Sequence, residues 1–344
     1  DELPAIIDLG VPLPAGKLPN RVLGEFIDSV QFADPSILIG PGVGEDTAAL
    51  DISNREVLVL KSDPITFVAN DSGTYAVIVN ANDIATSGAV PRWMLTSLLF
   101  PPQTTALQIR RTMVEIRNVC ADLGISLCGG HTEITDAVSR PVVTGLMAGL
   151  VTRSDLLDKT NLRPGDRILL TKQVAVEGTA ILAVEFRKAL TELGINRETL
   201  LACEGYLAKL SILPEASLAA GHPGTVAMHD VTEGGLATAL FELSCASGYR
   251  LKIDLDKIPV FKHTRELCQA LGINPLGLIG SGSLLIACRP ESQASISRRI
   301  ENGAIEVTCI GEVIEEGQGI EALKNGRKVK WPDFAVDELA RLFQ

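Results

Sequence analysis

The sequence predicts an α/β protein of two domains, and three observations carry that expectation. A chain of 344 residues with 46% hydrophobic composition exceeds what one core usually supports. β-rich apolar runs and helically spaced segments interleave as far as residue 150. The polar stretch 152–164 then reads as a linker or as the first turn of a second α/β series, which sets the domains at 1–155 and 156–344.

Residues 1–20 are proline-rich and read as extended, with Gly16-Lys17-Leu18-Pro19 leading into a short helix from Asn20 to about residue 30. Gly40-Pro41-Gly42-Val43-Gly44-Glu45-Asp46 is a glycine-dense turn that delivers Asp46 to the start of an apolar strand. A strand over 57–60 ends in Lys61-Ser62-Asp63-Pro64, which leaves Asp63 at a strand terminus, where loops carry chemistry. Between 72 and 88 the spacing is helical: Tyr75, Val77, Ile78, Val79, Ala81 and Ile84 form an apolar face that Asn82 and Asp83 interrupt. A polar pair so embedded must find partners inside. Residues 89–100 are β-rich, 106–123 form an amphipathic helix, and 125–128 read as a buried strand ending at Gly129-Gly130-His131-Thr132-Glu133. A strand over 141–151, rich in small residues, completes this half.

The second half opens with a strand at 166–171, followed by helices over about 178–194 and 198–220. Strands are expected near 251–255, 283–288 and 306–313, a helix at 292–302, and a tail from Trp331 that closes in a short helix. No repeat of 20–50 residues is visible.

Within this half, Met228-His229-Asp230-Val231-Thr232-Glu233-Gly234-Gly235-Leu236 reads as strand, tight turn and helix N-terminus, because apolar residues recur at helical spacing from Leu236. Such an end offers unpaired N–H groups and a positive partial charge, so it suits an anion, and Gly234 and Gly235 let a ligand approach the backbone. Asp230 stands at the mouth. The alternative is that Asp230 or Thr232 merely caps the helix and the glycines only make the turn.

Asp46, Asp63, Asp83 and Asp230 thus share one kind of position: a strand end, a glycine turn or a break in an apolar face. Singly, each could be a turn or cap aspartate. Brought together, they would repel unless a divalent cation offset them, and Mg²⁺ suits carboxylates combined with phosphate oxygens. His131 and His229 could act in proton transfer or be hydrogen-bonded structural histidines. Lys61 could neutralise a phosphate or lie along the surface. Trp93 and Trp331 read as packing residues.

A net charge of −11 and a pI near 5.0 argue against nucleic acid or an anionic membrane as partner. The seven cysteines include no CxxC pair and sit mostly in apolar surroundings, as buried thiols of a reducing cytoplasm do. No basic-then-apolar leader follows Asp1, so no secretory signal is expected. The run 267–288 carries no formal charge over 22 residues, but Asn274, Pro275 and four glycines break it, so it is not read as a membrane span. The strands of residues 1–150 are apolar enough to need cover on both faces, with too few helices to provide it, which predicts a homodimer through the N-terminal domain.

Several motifs carry a family resemblance in order and spacing: Gly16-Lys17-Leu18-Pro19, Gly42-Val43-Gly44-Glu45-Asp46-Thr47-Ala48, Ser62-Asp63-Pro64, Asn80-Ala81-Asn82-Asp83-Ile84-Ala85, Gly88-Ala89-Val90-Pro91-Arg92, Gly129-Gly130-His131-Thr132, Arg163-Pro164-Gly165-Asp166, His229-Asp230 with Gly234-Gly235-Leu236, and Ser281-Gly282-Ser283-Leu284-Leu285-Ile286. On these the chain resembles the AIR synthase superfamily, the PurM-like proteins, and within it the hydrogenase maturation family HypE. The resemblance implies an α/β (α+β) fold of two domains. The N-terminal domain would pair with a second copy into a dimeric β-barrel-like core, the C-terminal domain would be an α/β sandwich, and ATP would lie in the cleft between them. It also implies that Asp46, Asp63 and Asp83 hold Mg²⁺ against the phosphates, with Asp230 contributed by the second domain. Gly129 and Gly130 would form a backbone cradle for the nucleotide, joined by Asn82 and Thr132. The catalytic groups would then be Lys61, Asp83, His131 and Asp230. The chemistry implied is ATP-dependent activation of an acceptor oxygen, in which positioning and charge neutralisation supply most of the rate.

Three departures qualify that resemblance. HypE proteins end in a cysteine that becomes a thiocyanate, whereas this sequence closes Leu342-Phe343-Gln344 and its last cysteine, Cys309, falls in an apolar strand. The tail residues Val336, Leu339, Leu342 and Phe343 share one apolar face that would rather dock than roam, so no protein-bound thiocyanate is expected. His131 stands where HypE and thiamine-monophosphate kinases usually carry an acid, which removes one metal position or moves it to Glu133. Glu233 stands where HypE commonly has arginine, closer to the version in formylglycinamidine ribonucleotide synthetase. Two classes remain open: an ATP-dependent enzyme acting on a small-molecule or protein acceptor, and a non-catalytic, HypE-like nucleotide-binding partner in protein maturation.

Overall fold

Two sheets organise the chain, and the alternation of side chains along their strands decides which faces are covered. The computed structural model describes Asn20, Gly24 and residues 34–53, 55–66 and 71–343. The expected extended segment 1–20 and the helix to residue 30 lie outside the described residues, apart from Asn20 and Gly24, both helical. In the first half, β1 (Ile37–Ile39), β2 (Ala48–Asp51), β3 (Glu56–Ile65), β4 (Val90–Phe100), β5 (Ser126–Ile134) and β6 (Val142–Thr152) form a sheet of order β1-β2-β3-β6-β4-β5. Neighbours are antiparallel except β4 and β5, whose parallel pairing needs a crossover, supplied by α2 (Ala106–Asp122). Thr105 and Gln108 close a capping box at the start of that helix.

Between β3 and β4, α1 (Ser72–Thr86) packs on β3, β6 and β4 of this sheet. Nearly all of α1 is buried, so it is a core helix and not an amphipathic one. Gly88 ends it at φ +82°, and a Cβ there would lie 2.9 Å from Asp155 O. The polar pair of α1 finds its partners inside, as its sequence requires. Asn82 donates to Leu210 O and accepts from Ile212 N, each at 2.9 Å, which pins the helix to the second half of the chain.

The second sheet has the order β13-β12-β9-β11-β7-β10-β8. Its strands are β7 (Arg167–Thr171), β8 (Thr225–Asp230), β9 (Tyr249–Asp254), β10 (Leu284–Cys288), β11 (Val307–Glu316), β12 (Ile320–Lys324) and β13 (Arg327–Val329). The helices of this half are α3 (Val176–Glu185), α4 (Arg187–Glu192), α5 (Arg197–Glu204), α6 (Leu213–Ala220), α7 (Gly235–Ser247), α8 (Lys262–Leu271), α9 (Gln293–Glu301) and α10 (Glu338–Leu342). β10 is buried throughout, and the His229 motif is strand β8, a glycine turn and α7, as its sequence predicts.

Four local expectations change. Asp63 lies within β3, paired with Gly145, and not at a strand end. The run expected to be a buried strand at 125–128 opens β5, which among the described residues is an edge strand paired with β4 alone, and its nine residues are all exposed. The helix expected over 198–220 is interrupted at 205–212, and Pro214 lies in the first turn of α6, where its missing N–H costs nothing. The helix expected over 178–194 breaks at Phe186, whose ring packs 5.1 Å from that of Phe343.

Candidate functional site

The site grows from the period-two alternation of β3. Val57, Val59 and Ile65 are buried on the side facing α1, so Lys61 and Asp63, on the same side, also point at the helix. There Lys61 Nζ meets Asp83 Oδ2 of α1 at 3.2 Å. One turn earlier, Asn80 grips the backbone of Asp63, accepting from its N–H at 3.0 Å and donating to its carbonyl at 3.3 Å. Gly145 makes that grip possible, since a Cβ there would fall 2.6 Å from Asn80 Nδ2.

The glycine turn brings Asp46 from the other side. Gly44 adopts φ +85°, and a Cβ on it would fall 2.1 Å from Glu242 O, so only glycine lets this turn lie against α7. Asp46 Oδ2 then accepts from Lys159 Nζ and contacts His229 Nδ1, each at 2.8 Å. Lys159 also donates to Gly44 O at 2.8 Å, and His229 Nε2 lies 3.4 Å from Glu242 Oε2. Asp230, the last residue of β8, is 1% exposed, and one ligand atom each of Asp46, His229 and Asp230 fall within 4.8 Å of one another.

Electrostatics joins these two groups into one basin. Burial pulls Lys61 down, but Asp83, Asp63, Asp46 and Asp230 outweigh it and hold the ammonium above the ordinary lysine range. Burial pushes the Asp83 carboxyl well above the ordinary range, the Lys61 ammonium at 3.2 Å opposes that rise, and Asp230, Asp63 and Asp46 push it up further. Burial would likewise raise Asp46, and the charges of His229 and Lys159 reverse the effect and hold its carboxyl below the usual range. Burial favours a neutral His229 ring, but Asp46 dominates and pushes it up to about 9. The basin is therefore negative carboxylate balanced by two lysines and an imidazolium. Hard carboxylate oxygens in such number are the donor set that suits Mg²⁺.

Asp46, Asp63, Asp83, Asp230 and Lys61 thus act on one another, as their sequence positions suggested. Gly129, Gly130, His131, Thr132 and Glu133 do not join them. Asp63 pairs with Gly145, Gly145 with Thr96 and Thr96 with Gly130, so three strand spacings, about 14 Å, separate that segment from Asp63. His131 Nε2 contacts Glu133 Oε2 at 3.4 Å on the exposed edge. Asn82, expected at the nucleotide, spends its amide on the junction with residues 210 and 212. The N–H of Gly234, expected to meet a ligand anion, donates to Asp337 Oδ2 at 2.6 Å, so the anion is the chain's own tail. Gly235 is needed for packing, since a Cβ there would lie 2.5 Å from Leu276 O.

Sequence reasoning missed Lys159, which stands in a segment that read as linker, and Glu45 and Glu242, which flank the lysine and the histidine. Nothing local marks Lys159, whose partner lies 113 residues away.

With this geometry established, comparison with known proteins gives a consistent picture. Residues 44–151 match the family described as AIR synthase related protein, N-terminal domain, and residues 163–324 match its C-terminal domain. Carbamoyl dehydratase HypE of Cupriavidus necator is 27% identical over 286 residues, covering 80% of this chain and 78% of the relative. Selenide, water dikinase of an Enterobacter species is 28% identical over 332 residues, covering 87% of this chain and 91% of that protein. Among solved structures, Escherichia coli HypE superposes with a TM-score of 0.73 at 21% identity, covering 90% of this chain and 96% of that one. A HypE solved in complex with ATP superposes with a TM-score of 0.67 at 20% identity, covering 95% and 98%. The structural likeness establishes a shared fold of two α/β halves.

Proposed function

Because this chain belongs to the AIR synthase related proteins and has their PurM-like two-domain fold, we propose that it binds ATP with Mg²⁺ and uses it to activate an oxygen of a small-molecule or protein acceptor by phosphoryl transfer. The observation that carries this reading is the basin in which Asp46, Asp63, Asp83 and Asp230 all act on Lys61. Its residues come from the glycine turn, β3 and α1 on one side and from β8 on the other, where α1 meets β8. Asp63, Asp230 and the oxygen of Asp46 that Lys159 and His229 do not meet would hold the metal, which when bound neutralises phosphate charge. Lys159 and His229, both nearly fully buried and charged, fix the carboxylate of Asp46, and Asn80 fixes the backbone of Asp63. Such positioning, with water excluded, is what phosphoryl transfer asks of a protein.

Burial argues against four of the chain's thiols as acceptors, while Cys128, expected to be buried, is exposed on β5. Burial pushes Cys120 up to about 11 and Cys203, Cys268 and Cys288 up to about 12, which leaves few thiolates. The working form is a homodimer formed through the outer face of the first sheet, with exposed β5 as the pairing edge.

Calorimetry with a non-hydrolysable ATP analogue tests the binding step. Affinity is expected to depend on Mg²⁺ and to fall at least tenfold in Asp63→Asn. Equal affinity with and without the metal would remove the proposal. Phosphate release measured across candidate acceptors tests the reaction, and binding with no turnover for any acceptor would favour the non-catalytic maturation partner.

A further inference from the structure

The carboxylates form two neighbourhoods. In one, ligand atoms of Asp46, His229 and Asp230 lie within 4.8 Å of one another. In the other, the ammonium of Lys61 lies 3.2 Å from Asp83 Oδ2, with Asp63 two residues along the same face of β3. A basin of this shape invites two cations, and the second neighbourhood already holds one.

We propose that Lys61 is a resident cation, occupying the place on Asp83 that a divalent ion would otherwise fill, so that the basin takes one Mg²⁺ per bound nucleotide and not two. The inference rests on the Mg²⁺–ATP reading of the basin and narrows it.

Lys61 is held in place by its strand. It pairs with Met147 in the middle of the β3–β6 ladder, and a side chain at that position can point only toward α1. Asp83 is 2% exposed, and among the described residues its one ion pair is with Lys61. If the ammonium left to meet a phosphate, it would strand a buried carboxylate, which is the costly half of breaking a buried pair. A divalent ion needs the carboxylate oxygen at about 2.1 Å. With an ammonium on that same oxygen, the two cations would stand almost in contact and repel in a poorly screened site. Asp63 has no such obstacle, since its carboxylate makes no ion pair among the described residues while its backbone is fixed by Asn80. Asp83 is thereby a positioning residue for Lys61 and not a metal ligand.

Counting Mn²⁺ by electron paramagnetic resonance, on the full chain saturated with a non-hydrolysable ATP analogue, tests this. One bound ion per protomer is expected in the native sequence. Lys61→Met should take up two, and Lys61→Met combined with Asp83→Asn should return to one. Asp83→Asn alone should keep one ion at an affinity within about threefold of native, which decides the matter if Lys61→Met does not fold. Two ions in the native chain, one in a folded Lys61→Met, or loss of the ion in Asp83→Asn would each overturn the inference while leaving the ATP site standing. No nucleotide-dependent Mn²⁺ at all would instead overturn the functional reading beneath it.

Discussion

Asp46 is held by groups that its own neighbourhood in the sequence does not contain. Its partners come from the connecting segment, Lys159, and from the far half, His229, and together they offset the charge of Asp46. Glu177, in the first turn of α3, is a different case. Its Oε2 accepts from Ser281 N at 3.2 Å, yet burial prevails and pushes the carboxyl up to about 7. A folded value raised above the unfolded one means that the protonated form stabilises the fold. That contribution is complete below about pH 4.5 and is lost as pH rises through 7. Glu177→Gln keeps an acceptor for Ser281 and removes the titration. Urea unfolding of the variant should show stability higher by on the order of 3 kcal/mol at pH 8, with a flatter profile between pH 5 and 8. An unchanged pH slope would show that the ionised carboxylate is accommodated.

At the scale of elements, the tail is the clearest test of what an apolar stripe can foretell. Its helical spacing predicted docking, and α10 does dock. Leu339 is fully buried, Asp337 caps the helix through Leu339 N at 2.8 Å, and Trp331 donates to Ala237 O at 3.3 Å. What the tail docks on was not legible. Phe334 lies where a Cβ on Gly277 would collide with its ring at 2.6 Å, and Asp337 satisfies Gly234 at the start of α7. The tail therefore braces the turn that follows Asp230. Leu339→Ala is expected to cost about 2–5 kcal/mol. Unfolding at an unchanged m-value should report that loss, and a cost under about 1 kcal/mol would mean that the tail lies on the surface without supporting it. The helix boundaries show the limit from the other side. Pro214 was a readable stop that a run of apolar residues concealed, whereas the break at Phe186 depends on a ring 157 positions later.

For the whole molecule, the first sheet has one face under α1, and no described helix packs on the other. On that face Leu95 and Leu146 stand directly opposite each other across β4 and β6, at 43% and 42% exposure, with Trp93 beside them. Adjacent exposed leucines on a sheet, beside an edge strand with free backbone groups, are what a second copy would cover. Sedimentation at micromolar concentration should give a dimer for the native chain and a folded monomer for Leu95→Asp combined with Leu146→Asp. A native monomer would remove the dimer proposal. Among the described residues no helix is long and apolar enough to cross a membrane.

Read without coordinates, the chain discloses its fold class, the alternation of strands and helices, the inward need of the polar pair in α1, and acidic residues at positions where a solvated carboxylate is out of place. Each of these is written in local periodicity, in glycine turns, or in polar residues set into apolar runs. That Lys61 rests on Asp83, that Lys159 and His229 share one oxygen of Asp46, that the segment 129–133 stands on an exposed edge, and that Gly234 is met by Asp337 becomes legible in three dimensions alone. The reason is physical: a charge inside a protein is stable only with a partner, and the chain can supply that partner from any distance along its length. Periodicity states which side of an element is buried, but not which residue of another element will be waiting there.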